Sequence, residues 1–181
     1  MISESTARLK FKVKVDEIDI DQLMHYHLIL SVAANEFTIC VIDTLSKRCL
    51  LGEKHSFELG NSTENLTLIC DRIIEDHHLL KARFWKKITV AYASQNFTLI
   101  PNDLIEDENL SKYLELHGSL DLIMEAVKRY NHKNLSASNI FSIPKTLQSF
   151  FSELYGDKVT YVHQTSSFIE GILADQNIST E

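Results

Sequence analysis

Glycine, proline and cysteine are scarce in this sequence, and their scarcity excludes several classes of protein. Only 5 glycines and 2 prolines occur in 181 residues, so long flexible linkers are excluded. Hydrophobic residues make up 44% and charged residues 24% of the chain, as in ordinary globular proteins. No apolar run approaches the roughly 18 residues that span a bilayer, and no signal-like apolar segment follows Met1. We therefore expect one domain without membrane insertion.

The three cysteines, Cys40, Cys49 and Cys70, each lie in an apolar run. None of them belongs to a C-x-x-C pair, and their number is odd. This pattern is typical of buried free thiols in a reducing compartment. We therefore predict three buried thiols and a cytoplasmic location.

The formal net charge is −7, from 18 Lys and Arg against 25 Asp and Glu. An acidic surface repels a phosphate backbone, so a nucleic-acid partner is not expected. One basic cluster, residues 81–87, surrounds Phe84 and Trp85, where an aromatic ring flanked by cations could stack on a nucleotide. The pattern favours the alternative, a helix C-terminus followed by the start of a strand.

Apolar patterns predict antiparallel strands near the N-terminus. Residues 9–15 alternate apolar and basic side chains, as a half-buried strand does, with Leu9, Phe11, Val13 and Val15 on one face. The lysines on the other face suit an exposed sheet edge. Tight turns join three further predicted strands into a meander, at residues 28–33, 37–44 and 48–58.

The rest of the chain mixes helical and extended patterns. The spacing of apolar residues predicts a long amphipathic helix over residues 62–82, with Asn61 and Glu64 placed as a capping box. Residues 119–131 fit both a helix and a strand. The other predicted elements are a loop or helical turn at 16–27, a strand pair at 87–93 and 97–101 with its turn at 94–96, helices at 109–117 and 144–155, strands at 139–143 and 158–163, and a helix from Ser166 or Ser167.

This order of elements predicts an α/β fold with a mixed sheet. An antiparallel three-strand meander that continues into βα units is the layout of a ribonuclease-H-like core. We expect residues 28–174 to form this domain. Residues 1–27 would supply an N-terminal strand and lead-in, and residues 175–181 a frayed polar tail.

Three segments resemble successive blocks of one bacterial family of unknown function. They are LSVAANEFTICVIDTLSKRCLLGEKHSF (30–57), SQNFTLIPNDLI (94–105) and FSIPKTLQSFFSELYGDKVTYVHQTSSFIEGIL (141–173), of which F-T-L-I-P is the most specific part. The resemblance implies an actin-like ATPase fold of two facing ribonuclease-H-like halves. This chain matches the first half, and family members are typically longer. The second half of the facing cleft would then be missing from the present chain.

An actin-like ATPase binds phosphate at a hairpin of the type D-x-G-T/S, whose Asp holds the Mg²⁺-bound water. The matching positions here are Asp43, Thr44 and Ser46, but Leu45 stands in place of the glycine or the glycine is absent. A bulky side chain there blocks close approach of the backbone to phosphate. The resemblance thus implies a degenerate site without cofactor. The alternatives are ordinary turn residues, or ATP with Mg²⁺ at a site completed by the missing half.

Other chemistries have weaker support. A two-metal nuclease could combine Asp43 with Glu64 or Asp71, but residues 91–93 offer no third carboxylate. The histidine pairs at 25/27 and 77/78 lack the further ligands of a closed zinc site. His77 lies on the apolar face of its helix, as a core histidine would, and His78 would be solvated. No nucleophile motif occurs.

The expected function is therefore a non-enzymatic scaffold or protein-interaction domain. Its partner is not identified by the sequence. Because apolar surface intended for a second half would be exposed, we also expect self-association into a homo-oligomer.

Overall fold

The computed structural model describes residues 7–14, 18–58, 63–116, 118 and 120–178. Over these residues the chain has a mixed α/β structure, which confirms the predicted fold class. The strands and α-helices are, in chain order, β1 (Arg8–Lys14), β2 (Tyr26–Val32), β3 (Glu36–Asp43), β4 (Cys49–Ser56), α1 (Thr63–Asp76), β5 (Lys87–Tyr92), β6 (Phe97–Pro101), α2 (Leu110–Glu115), β7 (Glu125–Asn131), β8 (Ala137–Pro144), α3 (Lys145–Tyr155), β9 (Val159–His163) and α4 (Gln164–Ile178).

Strands β2, β3 and β4 form the predicted antiparallel meander. Every second side chain of β2 and β3 is buried, because successive side chains of a strand point to opposite faces. Phe37, Ile39 and Val41 are all 0% exposed and belong to the buried face. The other face carries half-buried residues in register, and we call it the open face: Ile29, Ser31, Thr38, Cys40, Gly52 and Lys54.

Strand β1 lies at one end of the six-stranded sheet, whose order is β1-β4-β3-β2-β5-β9. A bulge between Leu9 and Phe11 shifts its register, so Leu9 lies opposite His55 while Phe11 and Val13 lie on the open face. All seven residues of β1 are exposed. The predicted position at a sheet edge is confirmed. The prediction of a half-buried strand with all its apolar residues on one face is wrong, because the bulge breaks the alternation. Val15 lies outside the described residues.

Helix α1 is shorter than predicted. It ends at Asp76, and the backbone N–H groups of His77 and Leu80 then donate to carbonyls three residues back, so tight turns replace the last helical turns. The proposed capping residue Asn61 lies outside the described residues, so the capping box stays a prediction.

The predicted hairpin of β5 and β6 is wrong. Strand β5 lies between β2 and β9, whereas β6 pairs antiparallel with β8 in a second sheet of order β6-β8-β7. All eight residues of β8 are buried, because this strand is central in its sheet. Residues 94–96 therefore connect two sheets instead of two paired strands. Of the two patterns noted for residues 119–131, the strand is adopted over Glu125–Asn131.

The remaining helices follow the prediction with shifted ends. Helix α3 begins at Lys145, because Pro144 is the last residue of β8. Gly156, with φ of 68°, follows α3 and confirms the predicted stop. Helix α4 begins at Gln164 and continues to Ile178, so residues 175–178 of the predicted frayed tail are helical.

The described residues fall into two compact units, Met1–Val90 with Thr146–Thr160 and Ala91–Lys145 with Tyr161–Glu181. These boundaries do not test the predicted domain limits at residues 27 and 174, which therefore stay a prediction. Within the described ranges, no helix combines the length and the apolar character that crossing a membrane requires.

Candidate functional site

The turn between β3 and β4 carries the three residues assigned to a nucleotide site. Asp43 closes this turn with its own carboxylate: Oδ1 accepts from the Leu45 N–H at 2.9 Å, and Oδ2 accepts from the Ser46 hydroxyl at 2.7 Å. Such bonds to residues two and three positions ahead are those of a turn stabilised by an aspartate side chain. The structure thus brings Asp43 and Ser46 together within one turn.

The same contacts set the charge of Asp43. The Ser46 hydroxyl and the Leu45 N–H hold the pKa of this carboxyl below its usual value, so it is ionised at neutral pH. Mg²⁺ in proteins needs near-octahedral oxygen coordination, from one or two carboxylates, phosphates and water. In the part of the chain that the structure describes, no three His, Cys, Asp or Glu side chains are arranged to hold a metal ion.

Thr44 makes contacts outside the turn. Its hydroxyl donates to the carbonyl oxygen of His25 at 2.7 Å and accepts from the Nζ of Lys86 at 2.9 Å. Lys86 is exposed and brings a cation to the hairpin. Sequence reasoning missed this pairing, because Lys86 follows Thr44 by 42 residues and a basic cluster does not by itself indicate such a contact.

The backbone of the turn differs from a phosphate-binding hairpin. Among the described non-glycine residues, Lys47 alone has a positive φ, of 57°. The left-handed conformation therefore occurs at Lys47 and not at Leu45, where the motif has its glycine. The N–H of Leu45 already donates to Asp43, so binding of phosphate by this group would have to break a turn bond.

The residues named for other chemistries form no metal-holding cluster among the described side chains, and one of them, Trp85, is buried. Asp71 is exposed on α1, and the side chain of Glu64 lies outside the described part of the structure. Trp85 is 1% exposed and cannot stack on a nucleotide, whereas Phe84 is 74% exposed. Helix α1 ends at Asp76, and turns separate it from the basic cluster. The expectation of a helix C-terminus at residues 81–87 is therefore wrong.

A buried carboxylate that sequence reasoning missed lies on β4. Glu53 is 2% exposed, and its Oε1 pairs with the Nζ of Lys12 on β1 at 2.5 Å. The Nε2 atoms of His77 and His55 lie 3.4 and 3.5 Å from Oε2. A cavity of about 110 Å³ adjoins this group and is lined by Lys12, Lys14, Glu53, His77, His78 and apolar side chains.

Opposing effects set the pKa of Glu53. Burial acts to raise it, but the ion pair with Lys12 and the nearby His77 outweigh burial, and the pKa lies below its usual value. Burial lowers the pKa of His77, so its imidazole is neutral at pH 7 and Lys12 supplies the compensating charge. His78 is exposed, as predicted, but His77 is half-buried in the turn after α1 and does not lie on the apolar face of the helix.

The histidine pair at 25 and 27 is divided between two elements. His25 ends a short 3₁₀ helix, Ile20–His25, which confirms the helical turn expected in that segment. His27 belongs to β2, and its Nε2 is hydrogen-bonded to the Thr89 hydroxyl at 2.8 Å. Burial, with a contribution from Lys87, lowers the pKa of His27 to about 4, so this ring is neutral under ordinary conditions.

The second unit contains a buried polar network that no sequence pattern indicated. His163 donates through Nε2 to the Ser94 carbonyl at 2.9 Å, and its Nδ1 lies 2.7 Å from the Thr165 hydroxyl. Asn139 donates to the hydroxyls of Thr165 and Ser166 at 2.8 and 3.0 Å. The network ties the start of α4 to β8, a structural role that satisfies buried polar groups.

The prediction of three buried thiols is correct for Cys70 alone. Cys70 is buried and Cys40 is half-buried, but Cys49 is exposed, and all three are free. An apolar run indicates burial only when the strand position faces the core, and Cys49 begins β4 beside an irregularity in the register.

Comparison with solved structures defines the class of fold. A protein from Bacteroides thetaiotaomicron VPI-5482, described as having an actin-like ATPase fold and unknown function, superposes with a TM-score of 0.75 at 21% sequence identity. The alignment covers 87% of this chain and 59% of that protein, so the present chain spans less than two thirds of its relative. The chain therefore has an actin-like ATPase fold, as the sequence resemblance implied.

Family comparison gives the particular membership. The chain belongs to the family described as protein of unknown function (DUF3822), whose model matches residues 15–181. This confirms the resemblance to an uncharacterised family. A search of curated proteins gives no match.

Proposed function

We propose that this chain is a protein-interaction domain that uses an actin-like fold without a working nucleotide site. The observation that carries the proposal is β1. This strand is one edge of the six-stranded sheet, is exposed along its whole length, and pairs only with β4 among the described strands. An unpaired strand edge is a ready template for an added strand from another chain.

The side chains of β1 specify what such a strand would contain. Phe11 and Val13, 55% and 42% exposed, lie on the open face and would bury apolar residues of an added strand. Lys12, on the other face, is paired with Glu53. Lys10, at the bulge, and Lys14 are exposed and have no ion-pair partner among the residues described. The partner chemistry that fits is an extended segment alternating acidic and apolar residues.

The positive charges of β1 also disfavour a symmetric pairing of two β1 strands from two copies of the chain. Antiparallel pairing would place lysines of one copy opposite or diagonal to lysines of the other, and like charges across strands are destabilising. Lysines on an edge strand are also a common protection against aggregation. The same lysines attract an acidic strand, so protection against self-pairing and recognition of another chain are compatible.

Binding of an acidic strand is the first test. A fluorescent peptide of alternating Glu and Val, about eight residues long, should bind and be displaced by salt. The double variant Lys10→Glu with Lys14→Glu should bind the peptide about tenfold more weakly, since each charge reversal costs up to about 1 kcal/mol of binding free energy. Fluorescence anisotropy measures both effects.

The matched control for this test is the double variant Lys133→Glu with Lys158→Glu, which makes the same charge change at two exposed sites elsewhere. It should bind the acidic peptide as the unaltered protein does. Equal binding of a peptide with Lys in place of Glu, or no binding of either, would contradict the assignment of β1 as an acidic-strand site.

Self-association is a second form of the proposed interaction. Among the residues that the structure describes, five large apolar side chains are at least 70% exposed and could meet a second copy: Leu45, Phe84, Leu116, Ile123 and Phe168. Sedimentation velocity of the protein without peptide, under the same conditions, separates self-association from strand addition. A concentration-independent monomer would remove the homo-oligomer from the proposal and leave the edge strand unaffected.

Two further parts of the proposal concern the core and the compartment. We infer a ribonuclease-H-like core, supported by a meander followed by α1 and then by β5 beside β2. A cytoplasmic location is supported by three free cysteines, which suit a reducing compartment.

The second candidate function is a nucleotide-binding ATPase, favoured by one observation: the Lys86 ammonium lies 2.9 Å from the Thr44 hydroxyl beside Asp43. Our proposal instead expects no nucleotide binding, because Asp43 and the Leu45 N–H are occupied by the turn. Thermal unfolding with and without millimolar Mg²⁺-ATP tests this. Binding at 100 times Kd would add about 2.7 kcal/mol to the free energy of unfolding, and we expect no such shift.

The variant Lys86→Met is the control for the nucleotide test, since it removes the cation and leaves the turn bonds of Asp43 in place. A thermal shift with Mg²⁺-ATP that Lys86→Met abolishes would overturn the proposed loss of the site. Failure of the acidic peptide to bind would not affect this result, so the two parts of the proposal can fail separately.

A further inference from the structure

Two of the three cysteines lie side by side at the hairpin of β3 and β4. The Sγ atoms of Cys40 and Cys49 are 3.6 Å apart, on adjacent antiparallel strands. They bracket residues 41–48, which include the turn closed by Asp43 and Ser46. Cys70, on α1, is 0% exposed.

The two thiols differ in access. Cys49 is exposed, whereas Cys40 is half-buried on the open face. A reagent in solution therefore reaches Cys49 first, and the nearest thiol to any adduct formed there is Cys40. This arrangement, an accessible cysteine with a second one beside it, is typical of redox-sensitive thiol pairs.

The geometry permits a bond between the two sulfurs. A disulfide requires an S–S distance near 2.05 Å, so the sulfurs must approach by about 1.5 Å. The register between β3 and β4 is irregular between Val41 and Ile42, and Ile42 pairs with Cys49. A bulge at this place interrupts the regular ladder beside Cys49, which favours the small adjustment that closure needs.

We propose that Cys40 and Cys49 form a redox-active dithiol whose substrates are small-molecule disulfides. Cys49, as thiolate, attacks one sulfur of the disulfide, and the S–S bond of the reagent breaks to release one thiol. Cys40 then loses its proton and attacks the sulfur of Cys49, releasing the second thiol. One protein disulfide and two reagent thiols form; two electrons pass from the protein to the reagent, which is the oxidant.

The second step is the slower one. Burial, the hydrogen bond with Cys49 and the neighbouring sulfur raise the pKa of the Cys40 thiol to about 12, so little of it is thiolate at neutral pH. A mixed disulfide at Cys49 should therefore be detectable before the internal bond forms. The product would cross-link both strands of the hairpin that carries Asp43, Thr44 and Ser46. This inference does not depend on the proposed interaction at β1.

The test uses the folded chain and oxidised glutathione. Samples taken over time are quenched with acid, and remaining thiols are alkylated after unfolding and located by peptide mass spectrometry. We expect an adduct on Cys49 that gives way to a protein about 2 Da lighter, because two hydrogens leave. Cys40 and Cys49 should escape alkylation together, while Cys70 is alkylated fully.

Single variants give the controls. Cys40→Ser should stop at a stable adduct on Cys49, and Cys49→Ser should react at least about tenfold more slowly, because its remaining thiols are shielded. Cys70→Ser should behave as the unaltered protein. If Cys40→Ser does not fold, Cys40→Ala serves the same purpose. A persistent adduct in the unaltered protein, a disulfide between two chains, or equal loss of all three thiols would overturn the proposal.

Discussion

Replacing Phe37 with alanine is expected to lower the free energy of unfolding by about 3–5 kcal/mol, the cost of deleting a buried aromatic ring. Phe37 is 0% exposed on β3, between Val32 of β2 and His55 of β4. Its removal leaves a cavity on the buried face of the meander, where close packing prevents collapse. Urea denaturation followed by circular dichroism measures the change.

The matched control is Phe84→Ala, which deletes the same ring from a position that is 74% exposed. We expect a loss of less than about 0.5 kcal/mol there, as for most surface substitutions. Equal losses in the two variants would contradict the assignment of the buried face of β3.

Replacing Lys12 with methionine is expected to cost about 2–4 kcal/mol at neutral pH, somewhat less than removal of one partner from a fully buried ion pair. Glu53 is 2% exposed, whereas the Lys12 side chain is 50% exposed. Without Lys12 the carboxylate stays buried beside two imidazoles, of which His77 is neutral because burial lowers its pKa. Chemical denaturation at pH 7 measures the loss.

The effect of Lys12→Met should depend on pH. In the unaltered protein the pKa of Glu53 lies below its ordinary value of 4.5, so the unfolded chain binds a proton more readily than the folded one. The stability contributed by Glu53 is therefore present above about pH 4.5 and lost as the pH falls through the folded pKa. The difference between Lys12→Met and the unaltered protein should shrink below about pH 4 for this reason.

Substitution of the other partner of the ion pair, Glu53, provides the control. Glu53→Leu removes the buried charge and leaves Lys12 able to turn towards water, so it should cost less than Lys12→Met. The double variant with both changes should recover most of the loss of Lys12→Met, because no buried charge remains without a partner. A larger loss in Glu53→Leu than in Lys12→Met would contradict this account.

Lys12 also connects the core to the proposed partner site. Lys12 forms an ion pair with Glu53 of the same chain, whereas Lys10 and Lys14 have no ion-pair partner among the described residues. The peptide experiment therefore alters Lys10 and Lys14 and leaves Lys12 in place. A change in peptide binding can then be assigned to the edge of the sheet and not to weakened attachment of β1.

For the candidate nucleotide residues, the sequence predicted the position of the turn but not the contacts that its side chains make. Sequence placed Asp43, Thr44 and Ser46 in a turn after a strand, and the turn lies there. Local sequence could not show that Asp43 would close the turn itself, or that Lys86 would reach Thr44. The first depends on backbone angles in the turn, and the second on the packing of a strand from a distant part of the chain.

By itself the sequence determined the elements whose signals are local. The meander follows from apolar runs separated by turns, and α3 follows from its amphipathic pattern and Gly156. The resemblance carried by segments 30–57, 94–105 and 141–173 also predicted the actin-like fold, which a solved structure of similar fold confirms. These signals need no knowledge of distant partners, because strand period and helix period are properties of neighbouring residues.

Only the tertiary structure decided which strands pair and which groups meet. Strand β6 pairs with β8 and not with β5, although the turn at residues 94–96 favoured a hairpin. Glu53 meets Lys12, and Cys40 meets Cys49, across strands whose register is set by bulges. Such contacts depend on register, and a shift of one residue exchanges the two faces of a strand without changing its local pattern.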